Sequence, residues 1–156
     1  MPCPTRTVRA LVLLLLFIAS SASAQTGTLV LYASADPSQS SDLGAWVHAL
    51  APAASTMREL RTSDCVPESD VQCALASMRA AHAARILVAR AVWERGRCVS
   101  TYDASGAVVG RRMLRRAVLE LHVLDARGRL ARQVRRPLAP IDPSAAASVA
   151  LALGLR

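Results

Sequence analysis

Residues 97–113 read RCVSTYDASGAVVGRRM, and residues 117–136 read AVLELHVLDARGRLARQVRR. Each stretch turns on the same pattern, Asp-Ala-x-Gly, at Asp103–Gly106 and again at Asp125–Gly128. Asp suits the start of a type I turn, and Gly accepts the positive φ that follows it in the bulged hairpin loop. Apolar residues flank both turns. The pattern predicts two β-hairpins in succession. The 22-residue spacing of the two aspartates is one hairpin length and does not indicate a solenoid.

Outward from the hairpins toward the N-terminus lies Ile86–Trp93 (ILVARAVW), a short apolar run that reads as a strand. Before it, Ser69 and Gln72 have capping-box spacing, and Glu68 and Asp70 place negative charge where a helix dipole favours it. Val71, Leu75, Met78 and His82 then recur on one helical face, which predicts a helix running to about Ala83. Further back, Met57–Arg61 suits an edge strand. Asp42–Leu50 suits a helix with Leu43, Trp46, Val47 and Leu50 inward, and Thr28–Ala33 suits a buried strand. Toward the C-terminus, Asp142 can cap, Pro143 fits the first helical position, Ser144–Leu153 is alanine-rich, and Gly154 can close the helix. This order predicts an α+β fold. It should be a single α/β sandwich with a mostly antiparallel sheet, its two C-terminal hairpins packed against two to three helices.

The first 24 residues have the three parts of a cleavable export signal. Arg6 and Arg9 precede the apolar run Ala10–Ala19, and Ala22-Ser23-Ala24 stands before Gln25 as a cleavage site. The run is shorter than the roughly 20 apolar residues that a spanning helix needs. Cleavage would leave residues 25–156 as one domain, exported to the periplasm or beyond, with no membrane span. Its charge would fall from +8 to +6 with the loss of those two arginines.

Export also bears on the cysteines. Cys65, Cys73 and Cys98 would remain, and an oxidising compartment favours one bridge among three. Cys65–Cys73 is the favoured pair because the two are close and flank a helix start. Pairing of either with Cys98 stays open at this point. Otherwise Cys98 would be a small buried hydrophobe.

Every basic residue is arginine, and they are unevenly placed. Residues 111–136 carry nine arginines against Glu120 and Asp125, a local balance of +7, whereas residues 25–110 balance at −1. Arg111, Arg112, Arg115, Arg116, Arg132, Arg135 and Arg136 are therefore the candidate anion-binding residues. Their partner would be acidic lipid head groups, polysaccharide or an acidic envelope protein. The more ordinary role for such side chains is a solvated sheet face with charged, aggregation-resistant edges. Nucleic acid fits poorly, because stacking platforms need aromatics among the basic residues and only Tyr102 lies on the hairpins.

No catalytic, cofactor-binding or metal-ligating residue is assigned. His48, His82 and His122 are isolated, and Cys65 and Cys73 lack the spacing of a zinc site. No nucleophile elbow, H-E-x-x-H, P-loop or dinucleotide fingerprint occurs. From Cys65 to Gly106 the order is a cysteine, a second cysteine in a helix, the strand ILVARAVW, a polar break at Glu94–Arg97, and a hairpin turn. This resembles the small bacterial envelope modules similar to the TolB N-terminal domain and the CsgG-like periplasmic proteins. It departs from them just before the strand, where His82-Ala-Ala-Arg85 replaces their usual Leu-Gly-Ala-Asp. The resemblance implies a non-catalytic α/β domain that binds envelope partners. The expectation is thus an exported, non-catalytic binding module. The alternative is a small secreted hydrolase whose active-site residues converge only in three dimensions.

Overall fold

A computed structural model describes residues 27–155. The segment read as an export signal lies outside the described residues. The fold is α+β. Its strands are β1 (Gly27–Ser34), β2 (Ser55–Glu59), β3 (Ala83–Tyr102), β4 (Val108–Leu124) and β5 (Leu130–Pro137). Its helices are α1 (Ser40–Leu50), α2 (Val71–Ala80) and α3 (Pro143–Leu153). One open sheet runs β2-β1-β3-β4-β5. Helical crossovers make β2 and β3 both parallel to β1, and tight turns make β3-β4-β5 an antiparallel meander.

Helices cover both faces of the sheet. Val30, Leu87, Ala89, Leu119, Leu121 and Val123 point to α1 and α3, where Trp46, Leu50, Val149 and Leu153 fill the core. Leu29, Leu31, Ile86, Val88 and Leu124 point the other way, onto Ala74 and Met78 of α2. Burial on both sides explains why the β3 segment reads as a nearly unbroken apolar run rather than an alternating one.

Three local expectations change. The cap of α2 is Asp70, not Ser69. Its carboxylate accepts from the backbone N–H groups of Gln72 (2.8 Å) and Cys73 (3.3 Å), so the helix starts one residue later. Its buried face is Cys73, Ala74 and Met78, and Val71 is exposed. The helix also stops earlier, at Ala80. His82 takes a φ of 51°, the left-handed position that commonly ends a helix, and Ala83 already belongs to β3.

The third change concerns the hairpins. They are not separate units, because they share β4. The polar stretch Glu94–Arg97 is no break but a bulge within β3, with the register shifting between Arg95 and Cys98. Gly96 sits there, and a Cβ on it would lie 2.9 Å from the Leu114 carbonyl oxygen. Both turns form as read. Asp103 accepts from the N–H groups of Ser105 and Ala107, and Asp125 from those of Arg127 and Arg129. Gly106 and Gly128 have φ of 84° and 72°.

Candidate anion-binding ribbon

The sheet does not end squarely. β1 pairs with β3 only as far as Ala91, and β5 pairs with β4 only as far as Val118. Beyond those points β3 and β4 continue alone as a two-stranded ribbon, Val92–Tyr102 against Val108–Ala117. Eleven extended residues reach roughly 35 Å at ~3.3 Å each. The Leu138 N–H still bonds the Ala117 carbonyl at the base (2.9 Å), and past it both long edges of the ribbon are unpaired among the described residues.

Alternation along β4 sorts its side chains. Arg111, Met113 and Arg115 share one face and stand opposite Ser100, Cys98 and Arg95 of β3. Arg112 lies on the other face, opposite Val99. Arg95 and Arg115 are therefore direct cross-strand neighbours of like charge, an arrangement that destabilises a strand pair. Among the described residues neither forms an ion pair, nor do Arg97, Arg111 and Arg112. All five are exposed.

The remaining candidate arginines sit elsewhere and are engaged. Arg116 pairs with Glu94 at 2.6 Å. Arg135 bridges Glu120 at 3.0 Å and Glu94 at 3.4 Å. Arg132 donates to the Ala152 carbonyl at the end of α3. Arg136 lays its guanidinium 4.7 Å from the Trp46 ring centre, while the indole N–H of Trp46 donates to the Ala139 carbonyl. The seven residues thus split. Arg111, Arg112 and Arg115 lie on the ribbon and form no ion pair among the described residues, and Arg116 is paired at its base. Of the three on β5, Arg135 links across to β4 and β3, while Arg132 and Arg136 reach α3 and Trp46 of α1. Arg95 and Arg97 join the first group. Sequence reasoning passed over them because they lie in a stretch of balanced charge, and only the bulged register sets Arg95 against Arg115.

Two other polar features lie away from the ribbon. Beside α2, Arg90 forks onto Glu68 at 2.7 and 3.2 Å, and Nδ1 of His122 lies 3.7 Å from the same carboxylate. Burial alone would raise the pKa of Glu68, but His122 and Arg90 together outweigh it and hold the carboxyl at about 2. A crevice of about 270 Å³ opens at the carboxyl ends of β1 and β2, where the loops diverge to opposite faces of the sheet. Ser34, Arg61, Thr62 and Asp64 line it, no histidine does, and the Ser34 hydroxyl donates to the Asp36 carbonyl. Among the described residues no group of three or more His, Cys, Asp or Glu is placed to hold a metal. Cys65 and Cys73 form a disulfide, whereas Cys98 is free and exposed on the ribbon rather than buried.

No protein-family model matches the chain, and no curated protein matches it. Among solved structures it is similar to a neuraminyllactose-binding hemagglutinin homolog from Helicobacter pylori. The identity is 8%, with a TM-score of 0.36 over 85% of this chain and 78% of that one. A likeness this loose carries no argument about fold or ligand.

Proposed function

We propose that this chain is an exported, non-catalytic binding module of the cell envelope whose β3–β4 ribbon engages an anionic partner. The observation that carries the reading is the facing pair Arg95 and Arg115, exposed and without a counter-charge among the described residues. Two guanidinium groups held opposite one another repel, and an anion set between them turns that cost into attraction. The Cys65–Cys73 disulfide suits an oxidising compartment. No helix among the described residues is long and apolar enough to cross a membrane. Kinship with the TolB N-terminal and CsgG-like envelope domains belongs to the same proposal.

The test compares two charge-matched variants on an immobilised polyanion such as dextran sulfate. R95Q/R115Q removes the facing pair, and R127Q/R129Q removes the same charge from the second turn. The first should elute at clearly lower salt than the second. Equal elution of the two variants would mean that net charge alone is read and that the ribbon is no site.

A further inference from the structure

We infer that the ribbon docks tip-first onto the surface of an anionic lipid bilayer, an inference that rests on the anionic-partner reading above. Ten large hydrophobic side chains are exposed among the described residues, and five of them (Trp93, Tyr102, Val108, Val109 and Met113) lie on this one ribbon. Tyr102 and Val109 are the most open of the five, at 63% and 65%. Tyr102, Val108 and Val109 gather at its tip, and an apolar cluster on a projection marks an interaction site rather than ordinary surface.

The order along the ribbon identifies the partner. Tyr102, Val108 and Val109 are at the tip, Arg111 and Arg112 come next, and Arg115 faces Arg95 nearer the domain. Arg111 and Arg112 follow Val109 by two and three positions, or roughly 7–10 Å of strand. That matches the ~5–10 Å to which an interfacial apolar surface sinks below the head groups. The tip would then reach the acyl boundary while the arginines stand level with the phosphates. Tyr is well suited to that boundary, with an apolar ring and a wet hydroxyl. The turn between the strands is small, Ala104-Ser-Gly-Ala107, and the Asp103 carboxylate is occupied by the N–H groups of Ser105 and Ala107 and by the Ser105 hydroxyl.

The same order limits depth. Arginines occupy both faces of the ribbon, so neither face is an apolar stripe fit for the hydrocarbon interior. Asp103 keeps its charge at the very tip, which holds docking shallow. A second copy of the chain fits less well, because pairing two ribbons along their free edges would gather twice the unpaired arginines. Phosphate head groups supply the opposite charge and the apolar layer together.

The full exported protein is tested by co-sedimentation with phosphatidylcholine vesicles, with and without phosphatidylglycerol. Three proteins are compared: the parent, R95Q/R115Q, and a tip variant Y102T/V108T/V109T that keeps both the charge and strand-favouring side chains. Circular dichroism and the intact disulfide certify folding. The parent should bind the anionic vesicles and not the neutral ones, and each variant should bind at least tenfold more weakly. The tip variant should still hold dextran sulfate like the parent. Full vesicle binding by the tip variant, with loss in R95Q/R115Q, overturns lipid docking and leaves the anionic-partner reading intact. A parent that binds dextran sulfate but no vesicle does the same. Undiminished binding by R95Q/R115Q in both assays overturns both readings. A parent that elutes as a dimer, with the tip variant a monomer, makes the tip a self-interface and overturns lipid docking.

Discussion

Glu68 sits where two opposing effects act on one carboxyl. Its side chain is 12% exposed, and that burial disfavours the charged form. His122 and the forked Arg90 favour it more strongly, and the pKa falls from 4.5 to about 2. The folded-state value lies below the unfolded one. The stabilisation is therefore complete above pH ~4.5 and drains away as pH falls toward 2. Its size is at most about 3 kcal/mol. Glu68→Gln should lower the denaturant midpoint clearly at pH 7, and the gap to the parent should narrow steadily from pH 4.5 to pH 3. A gap independent of pH would show that the carboxylate charge contributes nothing. Legibility at this scale was uneven. The Cys65–Cys73 pair was readable because short spacing around a helix start brings two Cα atoms within bridging range, here 6.0 Å. The Glu68–Arg90–His122 cluster was not, because its members come from a loop and two strands and meet only through sheet register.

The two Asp-Ala-x-Gly turns look alike in sequence and in hydrogen bonding, yet they have different surroundings. At Gly106 a Cβ would meet nothing within 4 Å, whereas at Gly128 it would lie 3.2 Å from both the Ala74 side chain and the Val71 carbonyl. Gly106→Ala should therefore cost only the left-handed backbone term, about 1–2 kcal/mol. Gly128→Ala adds a clash against α2 and should cost about 1–3 kcal/mol more. Thermal melts of the two variants check this, and similar losses would refute the packing difference. The turns themselves were legible because Asp and Gly act locally. The join between the hairpins was not. Glu94-Arg-Gly-Arg97 has the composition of a loop, but Gly96 permits close approach to Leu114, so the strand continues through a bulge. The cap of α2 slipped by one residue for a related reason. Ser69 and Asp70 are both competent caps, and the structure uses the carboxylate.

At the scale of the molecule, helices are packed against the β1–β3–β4 core of the sheet, and the buried clusters that join them to it contain no ribbon residue. Isolated two-stranded ribbons are marginally stable in water. Hydrogen exchange should thus divide β3 along its own length. Amides of Ile86–Ala91, bonded within the double-sided core, should be the slowest, and those of Cys98–Tyr102 should exchange much faster despite belonging to the same strand. Uniform protection along β3 would mean that something covers the ribbon. The α+β class and the helix positions were legible because apolar periodicity reports burial. The ribbon was hidden because its strands carry the same β-forming residues as the core, and only the early ends of β1 and β5 leave them alone.

That construction has a mechanical side. β3 and β4 run unbroken from the tip into the middle of the sheet, where β3 is bonded to β1 through Ala91 and β4 to β5 from Val118. The connecting hydrogen bonds lie across the strands. A pull on the tip along the ribbon axis would therefore load those ladders in shear, many bonds at once, instead of peeling them one by one. Whatever the tip grips, the domain behind it is tethered through its two most firmly held strands.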